Sequence, residues 1–129
     1  MKKVIFSMVI LTAVILSSCK KENETVTIDK IEVNKQSLTD VQFGVRGNCG
    51  MCKSNIENAA LKVNGVKNAN WNVKEKTIKV TFNKDKTNIN DIEKAVAAVG
   101  YDTSNFKGDD FAYKSNAKCC QYDRAMEIK

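Results

Sequence analysis

Between residues 41 and 99 the apolar residues follow two spacings, one typical of strands and one typical of helices. In three stretches every second residue is apolar, which predicts strands with one buried face. These stretches are residues 41–45, 66–73 and 78–82. In two others apolar residues recur every three or four positions, which predicts amphipathic helices. The helical positions are Cys52, Ile56, Ala60 and Val63, then Ile89, Ile92, Val96 and Val99.

Turn-forming residues separate these elements. Residues 64–65 (Asn-Gly) and Gly100 end the two helices, because glycine readily takes the left-handed conformation of a helix end. Residues 74–76 form a hairpin loop and residues 101–107 a weaker last strand. The order strand–helix–strand–strand–helix–strand predicts an α+β, ferredoxin-like βαββαβ fold, with a four-stranded antiparallel sheet and both helices on one face. Trp71 is expected in its core.

The first residues have the composition of an export signal. Lys2 and Lys3 precede an apolar run of 13 residues, which is shorter than the ~20 residues of a transmembrane helix. The run ends in LSSC at residues 16–19, which is similar to the lipobox of bacterial lipoproteins. We therefore expect residues 1–18 to be a lipoprotein-type signal peptide and Cys19 to be lipidated. An ordinary signal peptide with a chance cysteine is the alternative.

This N-terminus predicts an exported protein that a lipid anchors to a membrane, facing the periplasm or the cell exterior. Residues 19–39 are mainly polar and charged, as expected of a tether. Residues 40–107 hold the periodic elements and form the predicted domain. Residues 108–129 follow as a tail.

The 129 residues suffice for one domain, and their composition restricts its chemistry. The net charge of +6 comes from lysines scattered along the chain, without the basic run and interleaved aromatics of a nucleic-acid-binding surface. Because there is no histidine, a metal site must use sulfur or oxygen, and Cys–His or Ser–His catalysis is excluded. There is no proline, which argues against a thioredoxin-like enzyme, whose fold normally places a cis-proline beside its dithiol.

Cys49 and Cys52 form a CxxC motif where the first strand meets the first helix. Unpaired N–H groups and the helix dipole stabilise negative charge there, so we expect a lowered thiol pKa and a metal-binding thiolate. Two thiolates without imidazole suit soft ions, above all Cu(I), with Hg(II), Zn(II) and Cd(II) as further candidates. Two interpretations compete with metal binding: a thiol–disulfide oxidoreductase, which also uses CxxC, and a structural or resting disulfide.

The sequence VRGNCGMC at residues 45–52, followed by Ile56-Glu57, resembles the heavy-metal-associated domain. That family includes copper chaperones, the N-terminal modules of copper-exporting ATPases and the periplasmic mercury-binding protein. The resemblance covers about residues 40–107. It continues through residues 63–66, 77–82 and 99–101.

The resemblance implies that Cys49 and Cys52 bind the metal and that the aromatic Tyr101 lies beside the metal loop. It also implies a metallochaperone or metal-sequestering protein that is not an enzyme. Its partner would be a metal-transporting membrane protein or another metal-binding domain, and an Hg(II)-binding periplasmic transport component is the alternative. One position departs from the family, which usually carries methionine two residues before the first cysteine, where this chain has Gly47. Met51, between the cysteines, is a weak thioether ligand at most.

A second cysteine pair, Cys119-Cys120, lies in the tail. Three interpretations stay open: a vicinal disulfide, a partner for the CxxC cysteines, or further metal ligands. The predicted last strand runs ~20–23 Å away from the loop, and the 11 steps from Gly108 to Cys119 reach ~36 Å when extended. The tail is therefore long enough to return, and we predict that it folds back and contributes a third thiolate.

Overall fold

The computed structural model describes residues 37–128 of the chain. The predicted signal peptide, the predicted lipidation residue Cys19 and the tether up to residue 36 lie outside this range. Within residues 37–128, no helix combines the length and the apolar character needed to cross a bilayer.

Three strands form one antiparallel sheet, in the places where alternating apolar residues predict them. They are β1 (Leu38–Gly44), β2 (Val66–Asn72) and β3 (Thr77–Asn83). β3 lies in the centre, with β1 on one side and β2 on the other. In this register Val80 of β3 is opposite Val41 on one side and Ala69 on the other, so the apolar side chains of neighbouring strands share a face.

Two helices carry the predicted apolar stripes. They are α1 (Gly50–Leu61) and α2 (Ile89–Ala98), and both bury residues at helical spacing. The side chain of Asn88 caps α2 by accepting a hydrogen bond from the N–H of Asp91 at 3.0 Å. Trp71 is 1% exposed in the core, as expected. The element order and the antiparallel sheet confirm the α+β, ferredoxin-like fold.

The predicted fourth strand at residues 101–107 is wrong, because the sheet among the described residues has three strands. A single isolated bridge, between Val45 and Thr103, stands in its place. The chain turns back there: the Thr103 N–H donates to the Phe106 carbonyl at 2.8 Å. The buried Glu93 carboxylate of α2 accepts from Thr103 Oγ1 at 2.7 Å and from the Asn105 N–H at 3.0 Å. The Glu93 carboxylate thus satisfies the Asn105 N–H, a backbone donor that a strand could have paired along the sheet.

The tail starts beside α2 rather than at the far end of a fourth strand. The Asp109 N–H donates to the carbonyl of Ala97 at 2.8 Å, which holds the tail against the end of α2. A short helix, α3 (Asp110–Ser115), and a 3-10 turn (Lys118–Cys120) follow. Phe111 and Tyr113, which alternate in the sequence, therefore lie on a helix and do not add to the sheet edge.

Candidate metal centre

The CxxC cysteines lie at the start of α1, where the sequence predicts them. Cys49 is the N-cap residue and Cys52 is buried in the first turn. Their Sγ atoms are 3.5 Å apart. The N–H of Asn48 donates to Cys52 Sγ at 3.3 Å, so the loop backbone also points a donor at the sulfur pair. The loop therefore directs both sulfurs to one point.

The pKa of the Cys49 thiol is lowered from its usual range to about 7. The main cause is the N–H of Cys52, which donates a hydrogen bond to this sulfur. Hydrogen bonds from the Cys52 and Cys119 side chains and from the Met51 N–H lower the pKa further, while burial opposes them. Cys49 is thus largely a thiolate just above neutral pH, in the protonation state that binds metal.

Iodoacetamide should modify Cys49 with a pH midpoint of about 7. Because folding lowers this pKa, the thiolate is formed above that pH and is lost as the pH falls through it. Modification rates between about pH 5 and 9, read by mass spectrometry of the Cys49 peptide, give the midpoint. The same peptide in denaturant is the control, with an expected midpoint near ~8.5. An equal midpoint in both states would contradict the hydrogen bonding described above.

The loop is supported from below by Trp71. Gly47 is buried, and a Cβ at this position would lie 3.0 Å from the Cζ2 and Cη2 atoms of the indole and 3.2 Å from the Cβ of Cys52. The indole Nε1 donates to the carbonyl of Val45 at 3.0 Å, and Lys76 Nζ donates to the Gly47 carbonyl at 2.6 Å. The indole therefore fills the space that a side chain at position 47 would need, which accounts for the departure from the family's methionine.

The tail brings the second cysteine pair to the loop. The Sγ atoms of Cys49, Cys119 and Cys120 all lie within 4.8 Å of one another. The carbonyl oxygen of Cys119 lies 3.7 Å from Cys49 Sγ and 4.0 Å from Cys52 Sγ. The four cysteines within residues 37–128 are free thiols, with Cys120 buried and Cys119 exposed. The tail thus returns to the loop as predicted, by a shorter route than a fourth strand would have required.

Tyr101 lies beside the sulfurs, in the position that the resemblance implies. It is fully buried, and its hydroxyl accepts a hydrogen bond from Asn55 Nδ2 at 3.1 Å. Burial and a hydrogen bond with Cys120 raise the pKa of Tyr101 well above its usual value. Burial likewise raises the pKa of the Cys120 thiol to about 12. Met51 is 52% exposed on the outer side of α1.

Asp102, which periodicity did not single out, fixes the tail. Its carboxylate accepts from Arg46 Nη1 at 3.2 Å and from the Gly108 N–H at 2.8 Å, and Arg124 Nη2 lies 3.4 Å away. The Asp102 N–H donates to the hydroxyl of Tyr122 at 2.7 Å. Arg46 and Asp102 are 56 positions apart, so no local pattern could have revealed this cluster.

Three tyrosines form the apolar side of the same junction. The ring of Tyr122 stacks on Tyr101, with centroids 5.9 Å apart, and Tyr113 meets Tyr122 edge-on at 5.2 Å. The Tyr122 hydroxyl donates to the carbonyl of Gly100 at 3.0 Å, and burial raises its pKa to about 12. Since Tyr122 follows Cys120 by two residues, these contacts fix the position of the tail cysteines.

Known proteins share the loop and the fold that carries it. Residues 47–102 match the heavy-metal-associated domain. Copper chaperone CopZ of Staphylococcus epidermidis is 33% identical over 54 residues, which are 42% of this chain and 79% of that relative. Oxidized MerP from Ralstonia metallidurans CH34 superposes with a TM-score of 0.50 at 31% identity, covering 52% of this chain and 94% of the other. With a relative of this identity matched over most of its length, the chain belongs to the heavy-metal-associated domain family.

Proposed function

We propose that this protein binds Cu(I) through the thiolates of Cys49 and Cys52, as a metallochaperone or a metal-sequestering protein. The observation that carries the proposal is the pair of sulfurs 3.5 Å apart at the start of a helix. The similarity to copper chaperone CopZ, a relative named for copper, supports Cu(I) as the cargo.

The donor atoms favour a soft ion. Thiolates select Cu(I) over hard cations, and the sequence contains no histidine to draw the site toward mixed sulfur–nitrogen coordination. The lowered pKa of Cys49 means that this thiol has fewer protons to release than an ordinary cysteine when a metal binds near neutral pH. Hg(II), Zn(II) and Cd(II) compete for the same two sulfurs, and competition titrations against Cu(I) show which ion the site prefers.

The exposure of the two cysteines suits transfer between thiolate sites. Cys52 is buried, whereas Cys49 is partly exposed, so a sulfur from another molecule would reach the metal at Cys49, on the side that the tail does not cover. We therefore propose another metal-binding domain, or a metal-transporting membrane protein that carries one, as the partner. The similarity to a relative named as a copper chaperone supports such a partner.

Replacing both Cys49 and Cys52 by serine should abolish tight Cu(I) binding and leave the fold intact. A hydroxyl group is a poor ligand for Cu(I), while serine is close to cysteine in size. Competition titration of the reduced protein against a Cu(I) chelator measures affinity and stoichiometry, and circular dichroism checks the fold. The matched control is Ser54→Ala, which changes an exposed side chain in the first turns of the same helix. Unchanged affinity and stoichiometry in the double variant would reject the proposed site.

A further inference from the structure

We propose that Cys119 and Cys120 join Cys49 and Cys52 in one closed site of three or four thiolates, which retains the metal. This inference rests on the proposed function for the class of metal, a soft ion such as Cu(I). It adds that the ligand set includes the tail and extends beyond the CxxC loop. Nothing in the loop motif itself requires such ligands.

The spacing of the sulfurs fits more than two ligands. A metal bound to three thiolates at about 2.3 Å needs sulfurs ~4 Å apart, and four thiolates need ~3.8 Å. A linear pair at the same bond length needs ~4.6 Å. The triangle of Cys49, Cys119 and Cys120 has no edge above 4.8 Å. Cys52 is not part of this triangle, and its Sγ joins it through Cys49, 3.5 Å away. Shifts of less than ~1 Å would bring this triangle to three-coordinate geometry.

The tail is held in place by its own packing. Tyr122 is 1% exposed and lies two residues beyond Cys120, which is itself fully buried. The backbone of the turn adds a hydrogen bond from the Cys120 N–H to the Ala117 carbonyl at 2.7 Å. Asn116 Nδ2 donates to the carbonyl of Val99 at 3.0 Å, which ties the start of the turn to the end of α2. The second thiol pair is thus positioned by contacts that do not involve metal.

The chemistry that follows is retention. A two-thiolate site leaves an ion open to an incoming ligand, whereas a third or fourth thiolate completes its coordination. The tail thiolates also raise the affinity for the metal because they belong to the same chain, so their effective concentration at the metal is high. The competing interpretation is a tail whose two cysteines pair only with each other.

Replacing both Cys119 and Cys120 by serine tests the inference on the reduced protein, with Cu(I) as the probe. We expect the dissociation constant for Cu(I) to rise by about 100-fold. X-ray absorption should show the sulfur neighbours of copper falling from three or four to two. Lys118→Ala, an exposed neighbour without sulfur, is the matched control and should match the wild type.

Each outcome separates this inference from the proposed function. If the wild type binds Cu(I) tightly with two sulfur neighbours, and the double variant binds equally well, the tail has no part in the site and the inference is overturned. If the wild type does not bind Cu(I) tightly, the proposed function fails and the inference with it. Because Cys120 is buried, Cys119→Ser alone provides a second test at an exposed position. A site of four thiolates should lose one sulfur neighbour in this variant, whereas an unchanged count of three assigns the third thiolate to Cys120; a count of two in both the wild type and this variant would overturn the inference.

Discussion

Replacing Trp71 by alanine is expected to lower the free energy of unfolding by about 3–5 kcal/mol. The side chain is 1% exposed, so its removal leaves a large cavity between β2 and the metal loop. It also removes the indole N–H that donates to the carbonyl of Val45 at 3.0 Å. The loss is a large share of the ~5–15 kcal/mol that stabilises a typical domain. Chemical denaturation measures it directly.

Gly47→Met tests whether the Trp71 indole supports the metal loop by filling the space beside Gly47, or stabilises the protein only as one more buried side chain. In the native background the new side chain should collide with the indole and cost about 1–3 kcal/mol. In the Trp71→Ala background it can enter the cavity, so the double variant should be more stable than the sum of the single changes predicts. Gly50→Ala is the control, since a Cβ at Gly50 meets nothing within 4 Å. Simple additivity of the two changes would show that the indole does not take the place of a side chain at position 47.

Asp102→Ala should release the tail and cost about 3 kcal/mol, the lower end of the range for breaking a buried ion pair. The lower end applies because Arg46 and Arg124 keep 24% and 23% of their side chains exposed to solvent. The change leaves both guanidinium groups and the Gly108 N–H without this acceptor. Hydrogen exchange should therefore accelerate at the Gly108 amide, and denaturation gives the change in stability.

Asp110→Ala is the matched control for the Asp102 variant. Asp110 also pairs with Arg124, but its side chain is 59% exposed, and exposed ion pairs contribute little. It should leave hydrogen exchange at the Gly108 amide unchanged. If the two variants behave alike, or if the Gly108 amide stays protected in Asp102→Ala, the tail is held by the tyrosine packing instead.

The spacing of apolar residues predicted the strands and helices that bury one face against the core. Alternation located β1, β2 and β3, and the helical spacing of Ile92 and Val96 located α2. The CxxC site followed from its position at a strand–helix junction. These elements bury one face each, so their apolar spacing is visible in the sequence without knowledge of their partners.

Contacts between distant residues decided what the sequence left open. Residues 101–107 could have extended the sheet, but the Glu93 carboxylate holds residues 103–106 in a turn. Gly47 departs from the family because a tryptophan 24 positions later occupies the space beside it. The length of the tail showed that it could return to the loop, whereas its route depends on Asp102 and Tyr122, whose roles come only from their partners.

The carbonyl oxygen of Cys119, 3.7 Å from Cys49 Sγ and 4.0 Å from Cys52 Sγ, places main chain over one side of the sulfur pair. If the tail is part of the site, exchange of metal with another molecule takes two steps in series: the tail lifts away, and the sulfurs then change partners. When the first step is the slower, the observed rate stops rising as the acceptor becomes more concentrated. Delivery would then be limited by how often the tail opens and would not depend on how tightly the acceptor binds.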